Sequence, residues 1–177
     1  MRRTLQILAM AWTTGMLLLT GCSGAGPTPV AVPEVPGFEK QADIVMPPEL
    51  LDEMNAYINL GNAERINYLD NATLDQRRVF IYHWAAYGLD VIHTDLIFST
   101  FEYDPESTEQ EFEEIAKRFG GELARFWSWE SLQKNSGVMR FQDISSRQEA
   151  ADLADKLLRR YPGLIRHIEF NAYGTPG

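Results

Sequence analysis

Two spacings alternate along the second half of this chain. Phe112, Ile115, Ala116 and Phe119 recur at intervals of three and four, and so do Ala150, Leu153, Ala154, Leu157, Leu158 and Tyr161. Each set marks one face of an amphipathic helix. Thr108, with Glu111 three residues on, predicts the cap of the first helix, and Gly120-Gly121 its end. Ser146 and Glu149 predict a capping box for the second, and Pro162-Gly163 its stop. Glu113–Lys117 and Glu114–Arg118 stand four apart in the favourable order on the polar face of the first helix. Between and around these helices lie runs with strand composition: 95–104 (DLIFSTFEYD), 122–130 (ELARFWSWE), 138–144 (VMRFQDI) and 164–173 (LIRHIEFNAY). Lys134-Asn135-Ser136-Gly137 supplies turn chemistry between the second and third. The order β-α-β-β-α-β from residue 95 predicts an α+β fold, a ferredoxin-like βαββαβ sandwich spanning 95–173. Right-handed crossovers then place both helices on one face of an antiparallel sheet.

Ahead of it, Leu50, Leu51, Met54, Tyr57 and Ile58 predict a helix over 48–59, behind prolines suited to a first turn. Thr73 and Gln76 predict a capping box, with a second helix over 74–87 ending at Gly88. For 77–87 a strand competes, because RRVFIYHW is rich in strand formers and apolar on both faces. Residues 47–94 therefore form an N-terminal helical segment. The preceding stretch contains Pro27, Pro29, Pro33, Pro36, Pro47 and Pro48, a density that predicts an extended tether over 22–46.

The first 21 residues have the three parts of a secretory signal peptide: Arg2 and Arg3, a mostly apolar run from Leu5 to Leu19, then Thr20 and Gly21. The single cysteine of the chain, Cys22, follows directly. Leu19-Thr20-Gly21-Cys22 resembles the lipobox of bacterial lipoproteins. That resemblance implies cleavage before Cys22, lipidation of its thiol, acylation (palmitate class) of its amine, and firm attachment through several chains. Ser23 in place of an aspartate implies the outer membrane, with the domain facing the periplasm. One cysteine allows no internal disulfide, so the fold must hold by its core. Removing Arg2 and Arg3 with the leader takes the formal charge from −9 to −11. So acidic a domain is repelled by phosphates, which argues against nucleic acid as a partner.

The closing stretch LLRRYPGLIRHIEFN resembles the end of the peptidase inhibitor I9 family, the propeptides of subtilisin-like proteases. Pro162, Gly163, Leu164, Ile168 and Glu169 match that pattern in place, and FGGELARFW resembles the exit from the family's first helix. The second segment is also similar to ribonuclease E inhibitor proteins. The propeptide resemblance spans roughly 95–171 and implies a ferredoxin-like fold whose open sheet face packs on a protease. No protease domain follows here, so it implies at most a free-standing inhibitor or folding aid, with 171–177 as an accessible tail.

Candidate chemistry is sparse. No G-x-S-x-G elbow surrounds Ser99, Ser128 or Ser136, and His83, His93 and His167 lack metal-ligand spacing. The acids from Glu106 to Glu114 suit a helix N-terminus rather than a calcium loop. The chain is read as non-catalytic, without cofactor or metal. Its most informative cluster is aromatic. Trp127 and Trp129 point to one face of their strand, and parity assigns Arg140, His167 and Glu169 to the same helix-free face. Trp, Arg and His together are the composition of binding surfaces. Three readings stay open: this face docks an envelope protein, the segment 48–88 lies across it and buries the tryptophans together with Phe80, Tyr82 and Trp84, or it stacks the sugars of peptidoglycan, with Glu130 and Gln142 as the polar groups at hand.

Overall fold

The computed structural model describes residues 26–172, apart from 62, 63, 66, 67, 70 and 102. The leader 1–21, Cys22 and the tail 173–177 lie outside the described residues. The described elements are β1 (Val30–Ala31), β2 (Val45–Met46), a 3-10 turn (Pro48–Leu50), α1 (Leu51–Ile58), α2 (Leu74–Tyr87), β3 (Val91–Thr100), α3 (Pro105–Arg118), β4 (Glu122–Trp129), β5 (Lys134–Arg140), α4 (Arg147–Arg160) and β6 (Ile165–Ala172). No helix among them is long and apolar enough to cross a membrane.

The protein is α+β. Four strands form a sheet in the order β4-β5-β3-β6, every neighbouring pair antiparallel. Leu96 lies between Met139 and Phe170, and Phe98 between Gly137 and Ile168. These apolar side chains are buried on the helix side, where Phe98 stacks on Phe112 of α3 with ring centroids 3.7 Å apart. α3 covers β4 and β5, and α4 covers β3 and β6. α2 lies against α4 and β6, with α1 packed on α2. The residues 77–87 are thus helical, and their apolar character on several sides follows from burial on several sides. The Thr73–Gln76 capping box forms, with the Thr73 hydroxyl accepting from the Gln76 backbone N–H and the Gln76 side-chain oxygen Oε1 accepting from the Thr73 N–H. The arrangement in which 48–88 covers the tryptophans is overturned: α1 and α2 sit on the α4–β6 side, Phe80 stacks on Trp84 within α2, and Trp129 is 51 % exposed.

Three other expectations are corrected. The tether reading fails from Val30 onward. Val32, Val35, Ile44 and Met46 are buried in the core, and β1 pairs with β2. The Tyr87 hydroxyl accepts from the Val35 N–H and donates to the Pro33 carbonyl, while the Gln148 side chain bonds both the N–H and the C=O of Val45. Each such buried apolar side chain contributes up to about 1.5–3 kcal/mol, enough to hold an arm with little regular structure. Second, α3 begins at Pro105 rather than behind Thr108, because proline suits a first helical position. Thr108 is instead buried, and its hydroxyl accepts from the Asn135 amide. Third, the turn before β5 falls at 130–133, with Gln133 in the left-handed region (φ 50°), and β5 already starts at Lys134. Gly137 is a mid-strand residue. A Cβ there would lie 2.6 Å from the Phe98 ring, so the missing side chain is what admits the Phe98–Phe112 stack.

Candidate functional site

Strand register builds the helix-free face in rows. Trp127 lies opposite Ser136, Ser136 opposite Ser99, and Ser99 opposite His167. The next row runs Arg125, Val138, Ile97, Glu169, and the one beyond it Glu122, Arg140, Asp95. Trp129 lies opposite Lys134 at the other end. The five residues singled out from the sequence, Trp127, Trp129, Arg140, His167 and Glu169, therefore share this face. They do not form one cluster. Trp127 and His167 stand on opposite edge strands, three strand spacings or about 14 Å apart. Between them the floor is made of small residues, so the tryptophans rise along one rim of a shallow surface.

Arg140 is committed within the protein. Its guanidinium makes a two-pronged bond to Asp95, with both contacts at 2.8 Å. Those bonds hold the nearly buried Asp95 carboxyl below the usual range, with Asn171 and Thr94 adding further hydrogen bonds. A depression of about 100 Å³ opens beside this pair, lined by Ala124, Arg125, Val138 and Asn171. Reasoning from sequence missed Asp95 and Arg125. The signal for Asp95 was an acid at the start of an apolar strand, DLIFST, which asks for a partner.

His167 Nδ1 lies 2.8 Å from the Ser99 hydroxyl. Burial pushes this imidazole down to about 4, with Arg166 and Lys134 acting in the same direction. Glu169, next on the face, is raised by burial. On the far side of the molecule, burial also takes His83 down to about 4, where its ring lies against Tyr57 and Tyr87 at 4.8 and 5.1 Å and Arg65 adds repulsion. Both histidines are neutral at pH 7. Among the described residues, no three His, Cys, Asp or Glu side chains gather as a metal site would require.

These shifts carry a sign. A histidine whose folded pKa lies below its unfolded value binds fewer protons folded than unfolded between about pH 4 and 6.5. Stability therefore falls as pH drops through that window, by about 1–2 kcal/mol per histidine at pH 5. The raised carboxyls, Glu169 and Asp152, act oppositely, but lower in the window, near the carboxylate range. His83→Phe keeps the ring contacts and removes one titration. Urea unfolding at pH 7 and pH 5 should show a smaller loss for this variant than for the parent chain. Equal losses would show that His83 is not the source.

The geometry is thus that of a platform: a tryptophan rim, a floor of small and aliphatic residues, and an internally neutralised Asp95–Arg140 pair at one end. No protein-family model matches this chain, and no curated protein or solved structure matches it significantly.

Proposed function

We propose that this chain is a lipid-anchored envelope protein that holds a protein partner on the helix-free face of a ferredoxin-like sheet. The observation that carries the reading is that face, on which Trp127 and the half-exposed Trp129 stand on an edge strand whose main helix contact among the described residues, with α3, lies on the opposite side. The strand order β6-β3-β5-β4, with crossover helices α3 and α4, supports the ferredoxin-like assignment. The Leu19–Cys22 stretch supports lipid attachment at the outer membrane, where the domain would face the periplasm. Trp127, Trp129 and Lys134 are the contact residues on this reading. Arg140, His167 and Glu169 shape the surface, since each is paired or mostly buried. No chemistry and no cofactor is assigned to the site.

Photo-crosslinking in intact cells tests it. A benzophenone side chain at position 129 should trap a discrete partner, and one at position 113, on the outer face of α3, should not. Trp127→Ala should cut the yield roughly tenfold or more while leaving the unfolding free energy within about 1 kcal/mol of the parent. Equal trapping at both positions would overturn the proposal, as would unfolding by Trp127→Ala.

A second reading rests on the propeptide resemblance: a free-standing inhibitor or folding aid of a subtilisin-like protease. It draws support from Pro162-Gly163-Leu164 leading into β6, with Ile168 in the core and Glu169 on the open face. Stoichiometric inhibition of subtilisin by the purified chain would favour it over the first.

A further inference from the structure

Away from the sheet face, the N-terminal arm and α2 enclose a two-part cleft. One part, about 350 Å³, is aromatic and aliphatic, lined by His83, Trp84, Gly88 and Leu89. The other, about 560 Å³, is acidic on balance, lined by Glu34, Glu39 and Asp43 together with Lys40. Phe38 and Tyr87 line both, so the two parts lie side by side at these rings. Phe38 and Leu89 are 63 % and 66 % exposed, so both present apolar surface at the mouth of the cleft. None of the three acids has an ion-pair partner among the described residues. Of the nearby cations, Lys40 lines the same part and donates to the Val32 carbonyl, while Arg147 donates to the carbonyls of Ala85 and Gly88.

We infer that this cleft binds a small organic cation with an apolar body, of the aryl- or alkylammonium class. The apolar part is large enough for a ring or short chain and offers it Trp84 and Leu89. A cationic head at the Phe38–Tyr87 junction meets two aromatic rings and a lining in which the carboxylates of Glu34, Glu39 and Asp43 outnumber the single ammonium of Lys40. Charge complementarity excludes anions and gives a neutral ligand no use for the acidic half. Since the cleft lies on the arm and α2, this inference is independent of the proposal for the sheet.

The test is a titration of benzyltrimethylammonium into the full chain carrying Cys22→Ser, which replaces the thiol by a hydroxyl and, on the lipobox reading, leaves the chain without lipid. The Trp84 indole N–H, buried without an acceptor among the described residues, is the NMR reporter. Saturable shifts of that resonance at submillimolar cation are expected, with uncharged benzyl alcohol binding at least tenfold more weakly. Phe38→Ser, at an exposed position, should weaken binding severalfold without unfolding, and Glu39→Gln and Asp43→Asn should each do so by less. The inference is overturned if no saturable shift occurs, if Phe38→Ser binds as the parent does, or if benzyl alcohol binds equally well.

Discussion

Replacing Arg78 with alanine is expected to cost roughly 3–5 kcal/mol of unfolding free energy, a large fraction of the stability of a domain this size. The reason is where its guanidinium sits. The side chain is 6 % exposed and reaches three carboxylates on three elements: Glu49 of the 3-10 turn at 3.1 Å, Asp75 of α2 at 3.0 Å, and Asp155 of α4. Asp155 is itself 2 % exposed. Without Arg78 its remaining ion-pair partner among the described residues is Arg159, whose side chain is more than half exposed and 3.0 Å away. A buried carboxylate with so weak a partner is costly, and the loss also unties the 3-10 turn from α4. The pair itself need not be strongly favourable. Taking two charges out of water roughly offsets their attraction, so Arg78→Met with Asp155→Leu should recover most of the loss. Urea unfolding followed by circular dichroism separates the cases. A cost below about 1 kcal/mol for Arg78→Ala would mean that Asp155 is solvated in a way its burial does not suggest.

Arg78 also shows which parts of the molecule a sequence can announce. The stripes of α3 and α4, the Thr73 cap and the apolar strands are local patterns, and they were legible. The role of Arg78 was not, because its partners include residues 29 and 77 positions away. The N-terminal arm is the sharper example. Its prolines enforce an extended chain, and extended it is between its turns. What docks it is a hydroxyl from Tyr87 and an amide from Gln148, the latter 103 residues distant, acting on isolated apolar residues with no period. Composition reads such a stretch as a linker. The site follows the same division. Side-chain parity placed Trp127, Trp129, Arg140, His167 and Glu169 on one face, since alternation is a property of each strand alone. Which residues stand opposite one another depends on register between strands. For that reason the Asp95–Arg140 pair, the Ser99–His167 contact and the width separating Trp127 from His167 were invisible. Gly137 was misread on the same account. In sequence it sits among turn formers, and its real reason is the ring of Phe98, on a different strand.

That ring gives the second large effect. Phe98→Ala should cost about 3–5 kcal/mol, because the side chain is fully buried and stacked on Phe112, and its removal leaves a cavity between sheet and α3. Gly137→Ala should cost about 1–3 kcal/mol for the opposite reason, since the added methyl would lie 2.6 Å from Phe98 Cζ and 2.7 Å from the Arg125 carbonyl oxygen. The two defects are complementary. In the Phe98→Ala background the methyl added at position 137 finds space on the ring side, so the double variant should be less destabilised than the sum by at least about 1 kcal/mol. Rescue stays partial, because the overlap with Arg125 is with backbone and cannot be relieved by a rotamer. That residual strain falls on β4, the strand that carries Trp127 and Trp129. Gly137→Ala should therefore reduce crosslinking from position 129 even at temperatures where the chain stays folded. Phe98→Leu, which leaves β4 undisturbed, should not. Strict additivity of the two substitutions would show that the glycine is not there for the ring. Full crosslinking by a folded Gly137→Ala chain would show that the tryptophan rim does not depend on the placement of β4.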